Sequence, residues 1–232
     1  GLTETSPIAT ANSPSGRRIG SVGKPIPGVH VEIDKVVTGD AKNGEIVIYG
    51  HNVMQGYYGL EEENDKVLLE KDGMRGFRSG DMGFIDDDGF VYITGRIKEQ
   101  YKLLNGKYVV PTPLEERIKL SSYVANVMVH GANQEYNVAL IVPDWETVLP
   151  WAKERGLPSD QAELCKNAQL EKLLLEEIEE LSVEFKHFEK VKKIAIIAED
   201  FTTENGLLTP KMSLKRRVAI ERYGDDLDAL YR

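Results

Sequence analysis

The 232 residues are 41% hydrophobic and 29% charged, and 38 acidic against 29 basic side chains leave a formal charge of −9. That composition excludes collagen-like, low-complexity and disordered chains, and its acidic balance argues against a general nucleic-acid or anionic-membrane binder. A single cysteine, Cys165, permits neither an internal disulfide nor a thiolate zinc cluster, and no apolar run approaches the ~18 residues of a membrane span. The expectation is a soluble, cytoplasmic protein of one large domain or two modest ones. The opening, Gly1-Leu2-Thr3-Glu4-Thr5-Ser6-Pro7, has no initiator methionine and reads as the inside of a loop. We expect the trailing piece of a longer protein.

From Pro7 to about Thr94 the text is β-like. Val29, Val31 and Ile33 alternate with His30, Glu32 and Asp34, the period-2 pattern of a half-buried strand. Lys42-Asn43-Gly44 makes a turn, after which Ile46 and Ile48 resume the alternation. A further hairpin is expected where Gly83-Phe84-Ile85 meets Phe90-Val91-Tyr92-Ile93 across Asp86 to Gly89. Helical patterns are nearly absent here. This half reads as a small, mostly antiparallel β-barrel or sandwich.

Beyond Arg96 the pattern changes. Thr112-Pro113-Leu114-Glu115 reads as a helix start, with a threonine cap, a proline in the first turn and a glutamate three residues after the cap. Val124 to Val129, Val138 to Val142 and Ile194 to Ile197 are strand-like. Between them lie a helix ending near Gly156 and a longer one through Leu170, Leu174, Ile178, Leu181, Phe185 and Phe188. Those positions share one helical face, and the stripe reads as a helix docked on its own sheet. The second half is α+β, and the boundary falls near Gly95 to Lys98.

Four segments can carry chemistry. In the first, the hydroxyls of Thr3 and Thr5 flank Glu4; hydroxyls donate to phosphate, and a lone carboxylate holds a magnesium ion that keeps most of its waters. An ordinary capped turn explains the same residues. In Phe77 to Gly83, FRSGDMG, Asp81 on a tight turn offers two oxygens to the vicinal hydroxyls of a ribose, although Ser-Gly-Asp is also a common turn. Gly95 to Glu116 gathers Arg96, Lys98, Lys102 and Lys107 around Gly106, either as donors to hydroxyls and phosphate or as a solvated hairpin. Asn205 to Arg217 carries Lys211, Lys215, Arg216 and Arg217 in an acidic protein. A loop lysine there suits a polyanionic substrate, and a cationic first turn answering Glu221, Asp225 and Asp226 suits it equally.

Other sites are excluded. His30, His51, His130 and His187 have no ligand spacing. Asp86 to Asp88 lacks the alternating ligands and distal glutamate of a calcium loop, so a hairpin turn explains it better. No Ser-His-Asp or Cys-His order is present.

Taken together and in order, the four segments resemble the downstream motifs of the acyl-adenylate-forming superfamily, the AMP-forming acyl-CoA synthetases, luciferases and peptide-synthetase adenylation domains. GLTETSP is similar to its Tyr-Gly-x-Thr-Glu segment without the leading tyrosine, Gly44 to Tyr58 to its Gly-Glu-hydrophobic stretch before Gly-Tyr-Tyr, and FRSGDMG to its Tyr-Arg-Thr-Gly-Asp motif. Gly95 to Glu116 is similar to its Gly-Arg hinge with a following Gly and Pro-x-x-x-Glu. The spacing of Asn205 to Arg217 and the long helix before it look most like long-chain fatty acid–CoA ligases.

The resemblance implies a β-barrel subdomain over 1–95, a hinge at 96–98 and a mobile α+β lid over 99–232. It implies ATP/AMP, magnesium and coenzyme A, with a fatty acid as the carboxylate substrate. Thr3 would meet the α-phosphate, Glu4 the magnesium ion, and Asp81 with Arg96 the ribose. Lys98 would be the hinge, and Gly106 would let the backbone line the pantetheine channel. The lid would turn between adenylation and thiol attack.

Two departures stand out. The family's adenylation lysine lies three residues before an arginine, and counting back from Arg216 lands on Ser213; Lys211 and Lys215 flank it and are the candidates. The family's hydroxyl- and glycine-rich phosphate loop lies upstream of Gly1, so the chain alone is expected to be inactive, its partner the missing N-terminal domain. Rival readings are an aryl-CoA, luciferase-like or carrier-protein-loading enzyme, and a non-catalytic binding module. No nucleic-acid partner is expected; a fatty substrate allows peripheral contact with the inner face of a membrane, although no basic amphipathic helix argues for it.

Overall fold

The computed structural model describes residues 1–14, 16–36 and 42–232. It divides into two compact units, Gly1–Glu99 and Gln100–Arg232. Among the described residues no helix is long and apolar enough to cross a membrane.

The first unit holds a ribbon of β1 (Thr10–Ala11) and β2 (Lys24–Pro25), then β3 (Val29–Asp34), β4 (Gly44–Gly50), helix α1 (Glu61–Val67), β5 (Leu68–Lys71), β6 (Met74–Ile85) and β7 (Val91–Arg96). Its main sheet runs β3-β4-β6-β5, with β7 also on β6, all antiparallel. The expected barrel is therefore an open, curled sheet, a half-barrel. Part of the β3–β4 link, 37–41, lies outside the described residues. The hairpin at Asp86 to Gly89 is present, pairing Ile85 with Val91 and Phe84 with Tyr92. Arg18 bridges Asp86 and Asp88 at 2.7 Å each, and Asp86 accepts from the Asp88 and Phe90 amides.

Two expectations are corrected in this unit. Strand β4 does not alternate: it is an interior strand between β3 and β6, and every residue from Gly44 to Gly50 is buried, Glu45, Val47 and Tyr49 as well as the core residues Ile46 and Ile48. Helix α1 has no counterpart in the sequence reading. None of its residues is buried, so it carries no apolar stripe. Glu61, Glu62 and Glu63 at its start and Lys66 at its end answer the helix dipole instead.

The second unit contains a hairpin of β8 (Tyr101–Lys102) and β9 (Tyr108–Val109), α2 (Pro111–Ile118), β10 (Val124–His130), β11 (Asn137–Pro143), α3 (Trp145–Glu154), α4 (Gln161–Leu164), α5 (Ala168–Leu181), β12 (Val191–Ile196) and α6 (Arg216–Ala229). Strand β11 is central, antiparallel to β10 and parallel to β12. Its side chains alternate between two cores. Ala139 and Ile141 pack with Leu114, Val148, Leu170 and Ile178, whereas Val138, Leu140 and Val142 pack with Phe201, Leu207, Ala219 and Leu227. Helices thus cover both faces, which is why β11 is an unbroken apolar run.

Two helix limits differ from the sequence reading. Helix α2 begins at Pro111 after Val110, not at a Thr112 cap; Pro111 has no amide proton to satisfy, and Glu115 turns inward instead of closing a capping box. Helix α5 ends at Leu181, capped by Ser182, so Phe185 reaches the core from the following loop and not from the helical stripe.

Candidate functional site

The site in the first unit is built on a break in the β4–β6 ladder. Glu45 pairs with Met82 and Val47 with Arg78, so Ser79, Gly80 and Asp81 together oppose Ile46 alone. Such a bulge lifts its residues out of the ladder and re-aims their side chains. Ser79 donates its hydroxyl to the Ile46 carbonyl at 2.7 Å and accepts from the Asp81 amide at 3.0 Å. Gly80 has φ +69°, a conformation that L side chains rarely adopt. The tight turn expected at Ser-Gly-Asp is thus a bulge inside the continuous strand β6, because the extra residues are absorbed within the ladder and do not end it.

Asp81 stands opposite Arg96 across β6 and β7. Arg96 Nη1 lies 3.0 Å from Asp81 Oδ1 and donates to the Ser79 carbonyl at 3.2 Å. The Asp81 side chain is 15% exposed, that of Arg96 53%. Burial pushes the Asp81 carboxyl above the usual aspartate value, and the Arg96 charge partly opposes that rise.

Arg96 lines an open cavity of about 620 Å³ together with Glu4, Glu45, Tyr57, Gly80 and Lys98. Glu4 sits on a 3-10 turn, Thr3–Thr5, and its Oε1 accepts from the Tyr57 hydroxyl at 2.8 Å. Burial, then that hydrogen bond, raises the Tyr57 pKa. Thr3 is exposed on the same turn, while Thr5 is buried and closes it by donating to the Leu2 carbonyl at 3.0 Å. Of the residues singled out in this unit, Glu4, Arg96 and Lys98 therefore share one cavity, and Asp81 adjoins it through its contact with Arg96.

Magnesium can be tested against these groups. It takes one or two carboxylates and fills its remaining positions with water and phosphate oxygens. Glu4 is a half-buried carboxylate on the wall of a cavity that Glu45, Glu63 and Glu99 also line, yet among the described residues no three His, Cys, Asp or Glu side chains converge as a metal cluster. That donor set fits a phosphate-borne magnesium ion and not an all-protein cage.

The remaining candidates belong to the second unit. Gly106 turns the β8–β9 hairpin with φ +83°, and a Cβ there would meet nothing closer than Lys102 Cε at 3.9 Å, so conformation and not space requires glycine. Lys211 lies in a small hairpin: Leu208 bridges Leu214, the Thr209 amide donates to the Ser213 carbonyl at 2.8 Å, and Met212 to Thr209 at 2.8 Å. Lys215 begins α6, its amide donating to the Leu207 carbonyl at 2.8 Å. Both lysines are exposed. Of the basic cluster, Arg217 reaches Glu221 at 3.7 Å, whereas Arg216 turns inward onto both oxygens of Glu115.

Three residues, all inside motifs already singled out, make contacts that the sequence reading did not foresee. Glu45, buried, accepts from the Gly80 amide at 3.1 Å and from Arg78 at 2.5 Å, while Arg78 also pairs with Asp34 at 2.8 Å. A carboxylate inside the apolar run GEIVIYG was the available signal. Glu115, buried, also accepts from the Val129 amide at 2.7 Å. Tyr57 lies in the Gly-Tyr-Tyr that closes Gly44 to Tyr58, but nothing local points it at Glu4.

The family model for the AMP-binding enzyme C-terminal domain matches residues 98–232, and that for AMP-binding enzymes matches residues 1–58. The chain belongs to the AMP-binding enzymes. Within this AMP-binding enzyme the 1–58 match takes in Thr3, Glu4 and Tyr57, and the 98–232 match begins at Lys98. Among its relatives, human long-chain-fatty-acid–CoA ligase 1 is 35% identical over 241 residues, covering 100% of this chain and 34% of the human protein. Long-chain-fatty-acid–CoA ligase FadD15 of Mycobacterium bovis is 33% identical over 234 residues, covering 100% of this chain and 37% of that protein. The chain thus spans about a third of the length of the curated relatives it matches. The adenylation domain of a carboxylate reductase from Mycobacterium chelonae superposes with a TM-score of 0.73 at 24% identity, over 93% of this chain and 32% of that one, and so shares the fold.

Proposed function

We propose that this chain forms the downstream part of an AMP-forming long-chain fatty acid–CoA ligase, which joins a carboxylate to ATP as an acyl-adenylate and then to coenzyme A as a thioester. The observation that carries the reading is the pairing of Asp81, on the β6 bulge, with Arg96, which lines the same cavity as Glu4. A carboxylate with its guanidinium partner presents acceptors and donors to a ribose edge. The names of the two curated relatives support the substrate class.

In this reading Asp81 accepts from the two ribose hydroxyls and Arg96 holds that carboxylate in place. Thr3 donates to the α-phosphate. Glu4 holds a magnesium ion, which would neutralise charge developing on the phosphate oxygens. Lys211 or Lys215 supplies the further positive charge at the α-phosphate, since Ser213 cannot. Lys98 is the hinge, and Gly106 lets backbone alone line the path of the thiol. The protein works in the cytoplasm, with peripheral contact to the inner membrane face where its substrate gathers.

The test uses the intact protein with its upstream part. Pyrophosphate exchange across a panel of carboxylic acids should select long-chain fatty acids; selection of aryl acids, or loading of a carrier protein in place of coenzyme A, would replace this substrate assignment. Lys211→Ala and Lys215→Ala, made singly and together, should lower acyl-adenylate formation by about 100-fold in at least one variant. Unchanged exchange in all three would mean that no lysine of this hairpin is catalytic.

A further inference from the structure

The turn that carries Glu4 is gripped by a stretch of chain for which no role has been assigned. Asn52, buried just past β4, donates its side-chain amide to the carbonyls of Thr5 at 3.1 Å and Ile8 at 2.8 Å. The Met54 amide donates to the Glu4 carbonyl at 2.9 Å. The Tyr57 hydroxyl completes the grip at 2.8 Å from Glu4 Oε1. Backbone and side chain of Glu4 are therefore both held from one short segment.

Tyr57 is itself fixed. Its amide donates to Asn64 Oδ1 at 2.7 Å, and its carbonyl accepts from Asn64 Nδ2 at 3.0 Å. Asn64 lies on α1, the helix that buries nothing of its own. The helix anchors the tyrosine, and the tyrosine anchors the carboxylate.

Building on the assignment of Glu4 to the cation, we propose that Tyr57 is a positioning residue that aims the Glu4 carboxylate at the divalent cation carried by the nucleotide phosphates. Magnesium demands near-ideal octahedral geometry, and a lone carboxylate on a rotatable stem meets that demand only when one oxygen is pinned. A hydroxyl donating to an ionised carboxylate is the stronger kind of hydrogen bond. It holds one oxygen and leaves the carboxylate a second for the ion. Partners of this kind tune metal affinity without touching the metal.

Tyr57→Phe keeps the ring and removes only the donor. In the intact protein with ATP, manganese replaces magnesium and its binding is followed by the relaxation of water protons, a readout independent of turnover. The half-saturating manganese concentration should rise roughly tenfold in Tyr57→Phe, with the melting temperature and the KM for coenzyme A unchanged. Glu4→Gln should raise it at least as far. A midpoint within about twofold of the parent in Tyr57→Phe, while Glu4→Gln is shifted, overturns the positioning role and leaves the Glu4 assignment standing. An unshifted midpoint in Glu4→Gln overturns the Glu4 assignment, and this inference with it. A loss shared equally with the coenzyme A KM marks a general loosening and also overturns it.

Discussion

At the scale of single residues, Asp81 makes the sharpest demand. Replacing it with alanine removes an ionised acceptor of two hydroxyls, so AMP affinity should fall at least tenfold, about 1.4 kcal/mol or more, by calorimetry in the intact protein. Because burial raises this carboxyl above 3.8, it takes up its proton at a higher pH than a free aspartate as the solution is acidified. Nucleotide affinity should be full near neutrality and fall with a midpoint above 3.8, and Asp81→Asn should abolish that limb. A midpoint at or below 3.8 in the parent would count against the assignment. For folding the sign is reversed: the stability this shift contributes is present below 3.8 and lost as pH rises through the folded value. Gly50 is exacting for a different reason. A Cβ there would stand 2.7 Å from Asn52 Oδ1, the buried acceptor for which no partner is found among the described residues. Gly50→Ala should destabilise the first unit by about 1–3 kcal/mol in a denaturant melt, and a neutral effect would show that Asn52 can move aside.

At the scale of elements, the second unit joins its two ends through one ion pair. Glu115 on α2 takes the guanidinium of Arg216 on the first turn of α6 and the amide of Val129 on β10. Breaking a buried pair from one side strands the other charge, so Arg216→Ala should lower stability by about 3–5 kcal/mol in urea unfolding. A loss below about 1 kcal/mol would show that water reaches Glu115. The same pair explains why a capping box was the wrong reading of Thr112 to Glu115. The motif has the right spacing, but a residue 101 positions away competes for the glutamate and wins. Helix α1 was hidden for the opposite reason: it has charges and no buried face, and apolar periodicity is the signal a helix normally leaves in a sequence.

At the scale of the whole molecule, Gln100–Arg232 has two cores on the faces of its own sheet. Expressed alone, residues 100–232 should fold and melt cooperatively, and a gradual, non-cooperative loss of circular dichroism would contradict that. Leu140→Ala, at a fully buried position of β11, should cost about 2–5 kcal/mol.

Order and type of element were legible wherever burial is periodic along the chain. Strands β3, β10, β11 and β12, the β6–β7 hairpin, the helix stripe from Leu170 to Ile178 and the change of character near Gly95 follow from local spacing of apolar residues, whereas β1, β2, β5, β8 and β9 left no such signal. Glu4, Asp81, Arg96 and Lys98 were singled out on another ground, the order and neighbours that carry the family resemblance, and the roles given to them are proposals. Local spacing does not say which polar groups meet. That Asp34 and Glu45 share Arg78, that Glu115 takes Arg216, and that Tyr57 reaches back to Glu4 required the tertiary structure. Each of these contacts joins residues far apart in the chain, and a hydrogen bond depends on positions in space that no one-dimensional period encodes.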